Sequence, residues 1–124
     1  MEKAVKVKFI SVIDDVRMEY FYDGILIEGN PKRLKYIEQM DNHEIDTSIV
    51  LGKEVIITRS NGIEMFQEYI VGQTTIMDYR VDSVTMQFRT TTHDIINDEA
   101  YLKVTYSSDS EMNSQKQQIE IYYS

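Results

Sequence analysis

A guanidinium that faces a protein core needs an acceptor, and Arg59 is placed to be such a group. It alternates with Val55 and Ile57 on one face of an extended run, so an interior face would carry its charge into or beside the core. An inward arginine in a barrel can clamp a ligand carboxylate bidentately. At the end of its strand it can instead reach solvent or pair with a glutamate across the sheet. The nine tyrosines are a second chemical resource. Their amphipathic rings suit a barrel interior or rim that holds a small organic ligand, with Tyr69 and Tyr79 the candidates beside Arg59. Tyrosine is also simply a good strand residue.

Other reactive types are poorly arranged. His43 and His93 each neighbour a carboxylate, Glu44 and Asp94, but a metal site needs both to converge with a further ligand and the spacing gives no reason for it. The acid pairs Asp14-Asp15 and Asp98-Glu99 read as solvated surface, since adjacent strand positions point to opposite faces. No G-x-S-x-G elbow, P-loop or G-x-G-x-x-G occurs, and no cofactor is expected. The chain has no cysteine, which excludes disulfides, thiolate metal sites and cysteine nucleophiles and fits a reducing compartment. Methionines such as Met65, Met77, Met86 and Met112 read as adaptable core filler.

At 124 residues the chain suits one domain, residues 1–124, with one hydrophobic core. Its net charge of −8 repels phosphate backbones and anionic lipid, and the basic residues hardly cluster. Lys6 and Lys8 fall on one face of an alternating strand, a solvated face. Nucleic acid and membrane are therefore not expected partners. The first residues lack an apolar leader segment, and no run approaches the ~18 apolar residues of a membrane span, so a soluble cytoplasmic protein is expected, as a monomer or weak homodimer.

The elements that must position these side chains are strands. Asn61-Gly62 tolerates the positive φ of a type I′ hairpin turn and sits between runs 54–60 and 63–71. Run 47–51 precedes them across Gly52-Lys53, which suits a II′ turn and completes a three-stranded meander. Val5, Val7 and Phe9 alternate with Lys6 and Lys8, whereas Ile10, Val12 and Ile13 crowd both faces and suggest a bulge, a bend or a segment covered on both sides. Asp14-Asp15 reads as a turn, and Met18, Tyr20 and Tyr22 resume the inward face. Gly24 then kinks a long strand, as small barrels do at corners. Runs 74–81, 84–92, 99–107 and 117–123 follow. Residues 41–46 and 93–98 read as connections, the latter with one helical turn, and residues 107–115 as a mobile polar loop. The chain is thus expected to be all-β, an antiparallel sandwich or up-and-down barrel of about ten strands.

From residue 47 to residue 79 a strand, Gly52, VIITRSNG with Arg59 and Gly62, Phe66, Gly72 and Tyr79 follow in order. With the leading AVKVKFIS strand and the final QIEIYYS strand, this pattern resembles the YwiB-like family of small bacterial proteins, a domain of unknown function. The resemblance implies a calycin-like, lipocalin-type barrel of about eight strands and supplies no reaction. One departure is visible: where a turn glycine is expected after Tyr79, the chain has Asp82-Ser83.

These readings favour a non-enzymatic module that binds a small apolar or anionic molecule in or at the mouth of a barrel, through Arg59, Tyr79 and Tyr69. A protein-interaction module acting through an exposed strand edge or an acidic face is the alternative.

Overall fold

The computed structural model describes residues 1–40, 42–109 and 114–124. Its strands are β1 (Glu2–Ile13), β2 (Val16–Ile27), β3 (Lys32–Met40), β4 (His43–Leu51), β5 (Val55–Ser60), β6 (Ile63–Tyr69), β7 (Thr74–Val81), β8 (Val84–Asp98), β9 (Tyr101–Asp109) and β10 (Ser114–Tyr123). Each pairs antiparallel with the next, and β10 returns to β1 to close an up-and-down barrel. No helix long and apolar enough to cross a membrane occurs among the described residues.

Turn chemistry sets the hairpins. Asn61 and Gly62 both take positive φ, 73° and 136°, between β5 and β6, which matches the twist that joins antiparallel strands. Asp14 and Asp15 do the same at 50° and 65° between β1 and β2. Asp82 takes φ 55°, so the β7–β8 turn is made without glycine because a short polar side chain tolerates the left-handed region.

The core is the inward half of each alternation: Val5, Val7 and Phe9 of β1, Ile49 and Leu51 of β4, Val55 and Ile57 of β5, Leu102 and Val104 of β9, Ile119 and Ile121 of β10. Burying each such side chain contributes roughly 1.5–3 kcal/mol. Ile10 points outward yet is fully buried. It lies between Glu19 and Glu120 in register, and Arg17 reaches both carboxylates, so Ile10 is covered on its outer side without a bulge, while Ile13 stays exposed.

Several connections differ from the sequence reading. Of residues 41–46, read as a connection, 43–46 are strand: β4 begins at His43 and buries Ile45, and residue 41 lies outside the described residues. Residues 93–98 continue β8, past a bulge between Thr92 and Asp94. Leu51 pairs with Val55, so residues 52–54 form a three-residue link in place of a II′ turn. β9 and β10 stay paired to Asp109 and Ser114, which shortens the expected loop 107–115. Its remainder, 110–113 with Met112, lies outside the described residues.

The barrel wall is unevenly knit. β2 and β3 pair only where residues 24–27 meet 33–36, and above Gly24 the two strands part. β6 and β7 pair only where 63–66 meet 78–81. There Thr75 Oγ1 donates to the Glu68 carbonyl at 2.6 Å and Gln67 Nε2 to Thr75 at 3.1 Å, stitching the gap with side chains.

Candidate functional site

The turns at 14–15, 61–62 and 82–83 stand at one end of the barrel, by the up-and-down order of the strands. Inward-facing residues near that end are exposed, Met18 to 52%, Tyr20 to 38% and Met86 to 41%, whereas Leu34, Ile49, Val55, Leu102 and Ile121 toward the other end are fully buried. The barrel is a cup with a sealed base and an open mouth.

Below the mouth lies a cavity of about 340 Å³ bounded by Phe9, Tyr20, Tyr22, Glu38, Arg59 and Tyr79. A second cavity of about 230 Å³ lies against Ile57, Met65, Tyr69, Met77, Tyr106 and Ile119. Phe9, Ser11, Arg59 and Tyr79 line both, so they divide an upper chamber from a lower one. Alternation along β5, β6 and β7 puts Arg59, Tyr69 and Tyr79 on the inner face, and all three line the lower chamber.

Arg59 does not stand alone. Its Nε donates to Glu38 Oε2 at 2.8 Å, and Glu38 also accepts from Thr47 Oγ1 at 2.7 Å and Tyr22 Oη at 3.2 Å. Glu38 belongs to β3, two strands from Arg59, and is reached across the short Thr47 of β4. The acceptor anticipated for Arg59 is thus a glutamate, though not one on a neighbouring strand. Among the described residues Arg59 Nη1 has only Met65 Sδ, at 3.5 Å, leaving donor capacity toward the chambers.

Burial, and next the Glu38 charge, raises the Tyr22 and Tyr36 phenols well above their usual range. The two rings stack at 4.7 Å. Burial foremost holds Tyr69 far above the ordinary phenol value and pushes Tyr106 up to about 12. Their rings tilt against each other at 5.2 Å on the chamber floor. Tyr36 Oη is buried with no hydrogen-bond partner among the described residues.

The sequence reading missed Glu38, Tyr22 and Thr47 as members of this cluster. Glu38 follows Leu34 and Tyr36 at two-residue steps, and that period was the available signal. The histidines are not brought together: His43 lies against Gly62, and His93 Nε2 sits 2.6 Å from Ser107 Oγ. Among the described residues no group of three or more His, Asp or Glu side chains is placed to hold a metal ion.

Comparison with known proteins gives the same architecture. A family model described as "Domain of unknown function (DUF1934)" matches residues 7–123. Among solved structures, the crystal structure of ywiB protein from Bacillus subtilis superposes with a TM-score of 0.79 at 23% sequence identity, covering 99% of this chain and 93% of that one. No curated protein matches.

Proposed function

The chain belongs to the DUF1934 family of domains of unknown function, and we infer that its barrel is a non-enzymatic cup for a small, uncharged, mostly apolar molecule. The pair of chambers sharing Phe9, Ser11, Arg59 and Tyr79 carries this reading. An apolar body fits the lower chamber, walled by Ile57, Met65, Met77 and Ile119. Its polar end meets Arg59 and the hydroxyls above.

Charge decides between an anionic and a neutral ligand. Glu38 already compensates the Arg59 guanidinium, so an added anion would meet the Glu38 carboxylate with no free countercharge beside it, which is unfavourable. A ketone, amide or hydroxyl accepting from Nη1 carries no such penalty. The cysteine-free sequence supports a reducing, cytoplasmic setting for this role.

The test is a native mass spectrum of protein purified without denaturation, together with uptake of a neutral naphthylamine probe. Added mass or probe uptake that disappears in Met77→Trp, which fills the lower chamber, supports the reading. A wild-type protein that carries no added mass and takes up no probe overturns it.

A further inference from the structure

The opening between β2 and β3 leaves a bare strand edge. Ile13 and Val16 flank the two-residue turn and face each other in register, so they form a hydrogen-bonded pair, and alternation turns the backbone N–H and C=O of Arg17, Glu19 and Phe21 away from β1. β3 meets β2 only from Gly24 onward. Among the described residues no strand satisfies these groups. The gap between β6 and β7 is stitched by Thr75 and Gln67, whereas here Tyr22 to Glu38 is the link across.

Two further features of the edge point to its occupant. Strand edges are ordinarily blunted by charged side chains, proline or a bulge; residues 16–23 contain no proline and keep an unbroken register with β1, and their charges at the proposed axis, Arg17 and Glu19, are of opposite sign. Beside the edge, on the inner face, Val16, Met18 and Tyr20 are 62%, 52% and 38% exposed. The edge is also self-complementary. Antiparallel pairing with itself about Met18 sets Arg17 opposite Glu19 in both directions, Val16 opposite Tyr20 and Met18 opposite Met18.

We propose that two copies of this chain associate through the free edge of β2, strand to strand about a two-fold axis at Met18. The backbone groups of Arg17 and Glu19 pair across the axis. The Arg17–Glu19 ion pairs already present within each copy, at 3.0 Å, close into a four-charge ring. The alternative register about Glu19 would oppose two carboxylates, which disfavours it.

Sedimentation equilibrium and cysteine cross-linking test this, on a chain with no cysteine of its own. The wild type is expected to form dimers reversibly with concentration. Met18→Cys is expected to form a disulfide-linked dimer under mild oxidation, while Phe21→Cys, off the axis, is not. Glu19→Arg or Arg17→Glu alone is expected to weaken the dimer about tenfold or more by placing like charges opposite each other. Mixing the Arg17→Glu and Glu19→Arg chains is expected to restore pairing as a heterodimer, because each chain then opposes the other's charge across the axis. All four positions are exposed, and an unchanged circular dichroism spectrum is expected for each variant. A chain that remains monomeric at every concentration overturns the proposal. So does a dimer indifferent to both charge reversals, one in which Met18→Cys does not cross-link, or an edge that takes up a peptide of another protein while the chain alone stays single.

Discussion

Arg59 Nε lies 2.8 Å from Glu38 Oε2, and both side chains are largely buried in the upper chamber wall. A pair in this setting contributes little net stability, yet removing one member strands the other's charge. Arg59→Met is therefore expected to destabilise the barrel by about 3 kcal/mol, and the double change Arg59→Met/Glu38→Met to recover most of that loss. Urea midpoints for the four chains of the cycle measure it. A double variant as unstable as the sum of the singles would contradict the pairing.

Gly62 has φ 136°, and a Cβ there would come within 3.0 Å of His43 Cβ and 3.1 Å of its Cγ. Gly62→Ala meets two separate costs, the backbone region and the imidazole, and is expected to lose about 2–3 kcal/mol. His43→Gly in the same chain removes the Cβ and the ring together and leaves the backbone cost, so thermal melting should show a smaller penalty for Gly62→Ala in a His43→Gly background than in the wild type. Full rescue would mean that the backbone contributes nothing.

Gly24 marks where β2 and β3 separate. A Cβ there would sit 2.8 Å from Val7 Cγ2 and 3.0 Å from the Lys35 carbonyl oxygen. Gly24→Ala is expected to cost about 1–3 kcal/mol through overpacking. The paired change Val7→Ala cannot repair it, because Lys35 contributes backbone and the shortened Val7 leaves a cavity. A Gly24→Ala/Val7→Ala chain as stable as the wild type in urea would rule out this account of the corner.

What the sequence discloses follows from how local each signal is. Asn61-Gly62 and Asp14-Asp15 declare their turns because positive φ belongs to single residues. Arg59 is readable as inward because Val55 and Ile57 fix its phase. Its partner is not, because Glu38 becomes a neighbour only once β3, β4 and β5 lie side by side. Residues 41–46 hide a strand start because Ile45 is their only apolar residue, and one residue makes no period. Residues 93–98 hide a strand because the bulge at His93 shifts the phase: Thr90 and Thr92 face inward on even positions and Ile95 on an odd one.

Alkaline pH is expected to unfold the barrel, and the sign follows from the tyrosines. Burial raises the phenols of Tyr22, Tyr36, Tyr69, Tyr101, Tyr106 and Tyr123 in the folded state, against about 10 in an unfolded chain. A folded-state value above the unfolded one means that folding favours the protonated form. The stability from these groups is complete below pH about 10 and is lost as pH rises through the folded values, that of Tyr106 being about 12. Tyrosinate absorbance should therefore rise steeply and together with loss of the far-ultraviolet β signal, because the buried phenols ionise on unfolding. Tyr106→Phe removes one group that titrates on unfolding and should move the transition to higher pH. Tyrosinate absorbance that reaches the full value for all nine tyrosines with the β signal intact would show that water reaches the chamber floor without unfolding, contrary to the sealed base.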